Sequence, residues 1–305
     1  MKRIELGKTG LSVPQIAVGC MRMGSLDAKQ AASYVTKALE LGIDYFDHAD
    51  IYGGGNCEKV FAGALKDAKI DRKDVLIQSK VSIRKGMYDF SKEYILEAVD
   101  GCLERLDTEY LDTLLLHRPD ALMEPDEVAE AFRTLKEAGK VRFFGVSNQN
   151  PYQMELLGSA LDEPLCADQL QLSIAHSSMI DEGINVNTMF DGATGRDGGV
   201  LDYCRLKKIT IQAWSPFQYG FFEGVFIGSD KYPELNKKLC EIADRYGVTD
   251  TTVAAMWLTR HPANIQPIVG TMNEKRLAEC AKAANLTLTR KEWYEIYLAA
   301  GNQLP

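Results

Sequence analysis

Four polar residues of four chemical types stand just past short apolar runs in the first 120 residues. Asp47 follows Ile43-Asp44-Tyr45-Phe46, and Tyr52 lies on the connection beyond it. Lys80 follows Val75-Leu76-Ile77, and His117 closes Leu114-Leu115-Leu116. Each alone has an ordinary explanation: a turn cap, a packed phenol beside glycines, a solvated lysine, a hydrogen-bonded core histidine. Together they make a proton-transfer device. A phenol with a pKa near ~10 keeps its proton at neutral pH and can donate it. An adjacent ammonium stabilises the phenolate and lowers that pKa, and a carboxylate keeps the ammonium charged and oriented. An imidazole beside them can orient a substrate oxygen or relay a proton. Such a set can polarise a carbonyl and protonate the alkoxide left by hydride addition, but the hydride must come from a cofactor.

These residues converge only if successive apolar runs are neighbouring strands. Eight runs recur: Ile16-Ala17-Val18, Ile43 to Phe46, Val75 to Ile77, Leu111 to Leu116, Val141 to Val146, Cys166 to Leu172, Ile209 to Ala213 and Pro267-Ile268-Val269. Short apolar runs alternating with helical patterns read as buried parallel strands. Asp27-x-x-Gln30 has the spacing of a capping box, Leu41-Gly42 supplies a stop, and Ser91 is placed to cap a helix. Helical faces are formed by Ile95, Val99, Cys102, Leu103 and Leu106, by Val128, Ala131, Phe132 and Leu135, and by Leu235, Leu239, Ile242 and Tyr246. Eight strand–helix units in about 250 residues is the arithmetic of an α/β fold of the (β/α)8 TIM-barrel type. Residues 1–305 are then one domain. A doubly wound sheet is the alternative, but it calls for a glycine fingerprint after the first strand. Neither Gly19-Cys20-Met21-Arg22-Met23-Gly24 nor Gly53-Gly54-Gly55 has that spacing.

Composition excludes several other classes. Of 305 residues, 46% are hydrophobic and 26% charged, the proportions of a globular chain. Thirty-five Lys and Arg against 43 Asp and Glu give a net charge of −8, which argues against a nucleic-acid partner. No apolar stretch is long enough to span a bilayer, and Met1-Lys2-Arg3-Ile4-Glu5 is unlike a signal peptide. Seven cysteines without a C-x-x-C pair suggest neither a disulfide framework nor a metal site, and the expected location is cytoplasmic. Three connections are long: 84–90, 173–198 with four glycines, and 214–231 with six aromatic residues. On a barrel such loops usually belong to the functional face.

At this level of detail the sequence resembles the aldo-keto reductases. Phe46-Asp47-His48-Ala49-Asp50-Ile51-Tyr52-Gly53 is similar to that family's Asp…Tyr-Gly signature, and Gln78-Ser79-Lys80 and Leu114-Leu115-Leu116-His117 complete its tetrad. Residues 6–14 resemble its N-terminal β-hairpin, which closes the barrel bottom. Gly145-Val146-Ser147-Asn148 and Ala213-Trp214-Ser215-Pro216-Phe217 resemble its fifth- and seventh-strand motifs. The wording around Asp47 resembles the bacterial, YdhF-like branch. The resemblance implies NADPH-dependent reduction of a small-molecule aldehyde or ketone. It implies Tyr52 as general acid, tuned by Lys80 and Asp47, with His117 orienting the substrate. It further implies that NADPH/NADP+ is held by Ser147, Asn148 and Gln169 at the carboxamide and by Trp214 on the nicotinamide. Met21 and Arg22 would lie on the nicotinamide-ribose side. Ser215, Pro216 and Phe217 would lie near the pyrophosphate, and Gly270, Thr271, Met272, Asn273, Arg276, Glu279 and Cys280 at the adenosine 2′-phosphate end. Cys280 stands where many members have Asn, and Gly270 where some have Lys. Expected substrate walls are Met21, Met23, His48, Tyr88, Trp214 and the 173–198 loop.

Two other readings compete with catalysis by reduction. One is a cofactor-binding regulatory subunit that turns over slowly. The other ignores the resemblance and makes Lys80 the Schiff-base residue of a barrel aldolase.

Overall fold

A computed structural model describes all residues, 1–305. The chain opens with β1 (Arg3–Glu5) and β2 (Ser12–Pro14), an antiparallel hairpin outside the main sheet. The first half of the barrel then alternates β3 (Ala17–Gly19), α1 (Ala28–Glu40), β4 (Tyr45–Asp47), α2 (Asn56–Ala68) and β5 (Leu76–Val81). A small hairpin, β6 (Ile83–Arg84) and β7 (Met87–Tyr88), precedes α3 (Lys92–Leu106) and β8 (Leu111–Leu116). There follow α4 (Pro125–Glu137), β9 (Val141–Ser147), α5 (Pro151–Gly158), β10 (Ala167–Gln171), α6 (Ser178–Ile184), α7 (Val200–Lys207) and β11 (Thr210–Trp214). A second hairpin, β12 (Gln218–Tyr219) and β13 (Gly224–Val225), leads to α8 (Pro233–Tyr246) and α9 (Asp250–Thr259). The chain ends with β14 (Gln266–Val269), α10 (Glu274–Lys282) and α11 (Arg290–Ala299).

The eight apolar runs are the eight strands of one closed parallel barrel, in the order β3-β4-β5-β8-β9-β10-β11-β14 and back to β3. The strands are covered on both sides, which is why apolar residues dominate them, interrupted by buried polar side chains such as Gln78, Gln169, Gln212 and Gln266. Lys80 lies within β5, sealed from solvent, and not beyond the strand on the surface. The three sequence-marked helical faces are turned inward, with Tyr246 half-buried. The capping box at Asp27 and Gln30 forms as spaced. Ser91 stands at the N-terminus of α3 but its side chain makes no cap; the amides there donate to Asp89, Asp120 and Glu127 instead. No helix is long and apolar enough to cross a membrane.

The N-terminal hairpin plugs the bottom of the barrel, as the resemblance implies. Ile4, Leu6 and Val13 form a separate apolar cluster with Ala17, Tyr45, Leu115, Cys166, Ala167 and Ile268. Gly7 is needed there twice over. Its φ is +57°, and a Cβ would sit 2.6 Å from the Cys166 carbonyl oxygen. At the far side, Trp257 and Trp293 stack at 4.8 Å, and each indole N–H donates to the other's backbone carbonyl. That reciprocal pair fixes α11 against α9.

Candidate active site

β4 ends with Asp47, only 2% exposed, at the C-terminal rim of the barrel. The chain then turns through Tyr52–Gly55, where Gly53, Gly54 and Gly55 take φ of 58°, 64° and 87°. Three consecutive left-handed residues are tolerable only for glycine. The turn returns Tyr52 toward β5. Lys80 Nζ lies 2.8 Å from Asp47 Oδ1 and donates to the Tyr52 hydroxyl at 3.1 Å and to the His48 carbonyl at 2.7 Å. All three ammonium protons are thereby used. Asp47 Oδ1 also accepts from Gln78 Nε2 at 2.6 Å and Gln169 Nε2 at 3.0 Å. His117 follows β8, and its ring stands edge-on to Tyr52 with centroids 6.0 Å apart. The four candidates are one connected group.

Electrostatics sharpens their roles. Burial pulls Lys80 down, but Asp47 and Tyr52 outweigh it and hold the ammonium above its usual pKa. Burial raises the Tyr52 phenol, and Lys80 offsets that only partly, so the net shift is upward. This corrects the expectation of a lowered phenol: Tyr52 is held protonated, as a donor. Burial, then Lys80 and Arg118, drive His117 well below its usual range, so the imidazole is neutral. His48 is fully buried against Phe61 at 4.7 Å, and burial lowers it to about 3. His48 contributes its backbone to the site, not its ring.

Above this group opens a cavity of about 960 Å3, which Tyr52, His117 and Asp47 help to line. That is the size of a site for a large organic ligand. Of the expected cofactor residues, Met21, Arg22, Asp47, Ser147, Asn148, Gln169, Trp214, Ser215, Pro216, Phe217, Gly270, Thr271, Arg276 and Cys280 line it. Met272, Asn273 and Glu279 do not. Met272 packs on the core, and Glu279 accepts from Thr249, Thr252 and Lys282. Gln169 donates both its amide protons inward, to Asp47 and Gln212, leaving its oxygen as the free acceptor. Asn148 donates to Ser147 Oγ at 2.7 Å and accepts from Trp214 Nε1 at 3.2 Å, which fixes the indole at the wall beside Phe222. Asn148 and Ser215 both have left-handed backbones, φ 59° and 51°, the kind of strain that collects at binding sites.

At the other end, Gly270 and Thr271 lead into α10, whose N-cap Asn273 accepts from the Arg276 amide. Arg276 and Arg22 face the cavity there without a carboxylate partner; Arg22, expected on the nicotinamide-ribose side, reaches this end instead and hydrogen-bonds only the Gly270 carbonyl, at 3.4 Å. Unpaired guanidinium groups at a helix N-terminus suit an anionic ligand. The cavity therefore fits a dinucleotide: cations at the α10 end and an amide cluster near Tyr52.

The expected substrate walls need correction. Met23 and His48 are buried outside the cavity, Tyr88 is exposed, and nothing from 173–198 lines it. The walls come instead from Ile51, Ile83, Arg118 and the β12–β13 hairpin through Gln218, Phe222 and Val225. The sequence signal for Arg118 was its position immediately after His117.

A family model described as "Aldo/keto reductase family" matches residues 15–299. Among curated relatives, "Uncharacterized oxidoreductase YcsN" of Bacillus subtilis is 35% identical over 100% of both chains. "Oxidoreductase YdhF" of Escherichia coli is 33% identical over 98% of each, and "6-dehydroglucose reductase" of Agrobacterium fabrum 33% over 100% of each. Among solved structures, the thermostable aldo-keto reductase Tm1743 with the inhibitor epalrestat superposes with a TM-score of 0.79 at 26% identity, covering 98% of this chain and 100% of that one. An aldo-keto reductase of Klebsiella pneumoniae in complex with NADPH gives 0.78 at 23% identity, covering 97% and 94%.

Proposed function

Because the chain belongs to the aldo/keto reductase family, we propose that it is an NADPH-dependent oxidoreductase that reduces an aldehyde or ketone to an alcohol, with Tyr52 as the general acid. The observation that carries the reading is Lys80 Nζ, held between the Asp47 carboxylate and the Tyr52 hydroxyl at the floor of the cavity. Relatives named as reductases and a structural neighbour solved with NADPH support the reaction class.

NADPH supplies the hydride when bound. Ser147, Asn148, Gln169 and Trp214 would hold its nicotinamide end, and Arg22, Thr271 and Arg276 its phosphate-bearing adenosine end. Tyr52 donates a hydrogen bond to the substrate carbonyl oxygen and passes its proton to that oxygen as negative charge develops. Lys80 steadies the resulting phenolate. Asp47 keeps Lys80 charged in a buried site, where an unpaired ammonium would lose its proton. Neutral His117 can donate a second hydrogen bond to the same oxygen without bringing another full charge beside Lys80. The buried floor removes water, which strengthens each of these interactions.

The test is carbonyl-dependent oxidation of NADPH, followed by absorbance over a panel of aldehydes and ketones. Turnover that needs both carbonyl and Tyr52 is the expected result. Tight NADPH binding without reduction of any carbonyl would overturn the reading.

A further inference from the structure

The walls of the cavity carry a charge pattern unlike the rest of the molecule. The chain has a net charge of −8, yet three arginines line the cavity, Arg22, Arg118 and Arg276, against one carboxylate, Asp47. Asp47 is already paired with Lys80, and none of the three arginines forms an ion pair. Arg22 and Arg276 lie together at the Gly270–Thr271 end, where a cofactor's phosphates account for them. Arg118 stands apart from both, next in sequence to His117 and on the side of the cavity where the carbonyl must be placed.

Arg118 is also held in place. Its amide donates to Ser82 Oγ at 3.2 Å, and the same hydroxyl lies 3.5 Å from its carbonyl oxygen. Ser82 is fully buried and has φ +126°, an unfavourable backbone for a residue with a side chain. The Ser82 hydroxyl, one residue past β5, thus ties down the peptide that carries Arg118. The guanidinium itself makes no side-chain hydrogen bond. Its centre is 5.8 Å from the Trp214 ring and 6.0 Å from the Phe221 ring, at the outer limit of a cation–π contact. A positioned backbone that carries a half-buried guanidinium with no side-chain hydrogen-bond partner leaves a five-donor fork free to bind a ligand in the cavity.

We propose that Arg118 binds an oxyanion on the substrate, so that the chain reduces carbonyl compounds bearing a carboxylate or a phosphate in preference to neutral compounds of the same size. This rests on the cavity being a carbonyl-reduction site. The fork matches either group bidentately. An unpaired guanidinium in the cavity wall attracts a negative ligand although the chain as a whole is acidic.

The experiment compares matched pairs with NADPH at two ionic strengths. One arm sets 3- and 4-carboxybenzaldehyde against benzaldehyde; the other sets glyceraldehyde 3-phosphate against glyceraldehyde. A higher kcat/KM for a charged member, falling with salt, is expected in at least one arm, and the arm that responds names the anion. Arg118→Gln should lower kcat/KM for that charged member roughly ten- to hundredfold more than for its neutral partner. Arg118→Lys should restore part of the difference. Equal preference in the wild-type protein, or equal losses on both members, would overturn the proposal. Benzoate and inorganic phosphate, each titrated against tryptophan fluorescence, read the anion site without turnover. Weaker binding of either in Arg118→Gln upholds the site even if no carbonyl is reduced, and unchanged binding of both rejects it.

Discussion

Lys80 and Asp47 form an ion pair 2.8 Å long in which neither side chain is more than 2% exposed. A buried pair of this kind contributes little to stability over an apolar replacement, while breaking it leaves an expensive lone charge. Its presence directly beneath the Tyr52 hydroxyl is therefore best explained by chemistry.

Tyr52→Phe should abolish carbonyl reduction, lowering kcat by about 10²–10⁴. NADPH affinity should stay within a few-fold, because the hydroxyl is tied to Lys80 at the floor. Steady-state rates together with fluorescence titration of the cofactor check both halves. A mutant that still turns over at the wild-type rate removes Tyr52 from the mechanism.

Lys80→Met should move the pH profile of alcohol oxidation to higher pH. In that direction the phenolate accepts a proton, so the rate rises as Tyr52 ionises. Lys80 is the largest influence holding its pKa down against burial. The Asp47→Asn, Lys80→Met double variant should shift less, since Asp47 on its own pushes the phenol up. It also avoids a lone buried carboxylate. Identical profiles in all three proteins would exclude the tuning.

Arg276→Ala should weaken NADPH binding about tenfold to hundredfold and leave NADH nearly unchanged, as expected for loss of one charge-assisted contact. The salt dependence of NADPH binding should fall with it. Dissociation constants for both cofactors at two ionic strengths are the measurement. Equal losses would mean that Arg276 serves the adenosine or the helix.

Asp168→Asn should stabilise the fold above neutral pH. Asp168 is fully buried on β10 with no side-chain partner, and burial raises it to about 8 against the opposing effect of the Gln149 and Asn148 amides. A folded pKa above the unfolded one gives stability that is complete below about 4 and lost as pH rises through about 8. Asp197 adds to the upward shift, and Cys204 beside it stays protonated. Thermal melts at pH 6.5 and 8.5 should show a decline in the wild type that is flattened in the variant. Histidines such as His48, whose unfolded pKa of 6.5 lies at the lower bound, contribute equally to both proteins and cancel in the comparison.

The barrel was legible because strands covered on both faces leave runs such as Leu111–Leu116 with no polar alternation. The tetrad was legible because catalytic side chains of a barrel must sit where those runs end. What escaped notice depends on direction, not on type. His48 and Asp50 flank the same turn as Asp47, yet alternation points the His48 ring at Phe61 and away from the cavity. The long 173–198 segment suggested a substrate wall by its length alone, but it folds into α6 and a turn outside the cavity. The short 218–225 hairpin supplies the wall instead. Loop length says how far a chain can reach, and strand register decides where it goes.

Beneath the site runs a chain of amides whose polarity has a single permitted sense. Gln266 donates to the Pro14 carbonyl at 2.6 Å, Gln212 donates to Gln266 at 3.0 Å, and Gln78 and Gln169 donate to Gln212 at 2.9 and 3.1 Å and onward to Asp47. The row begins and ends on groups that can only accept, a proline carbonyl and a carboxylate. Turning any one amide over would set oxygen against oxygen, and its neighbours could not absorb the error without turning too. The plug at the barrel floor and the carboxylate at its rim are thus grammatically bound, like the first and last words of a sentence with one word order. A barrel assembled with the hairpin misplaced would leave that row without its terminus, so the same glutamines that support the active site also certify that the bottom has closed correctly.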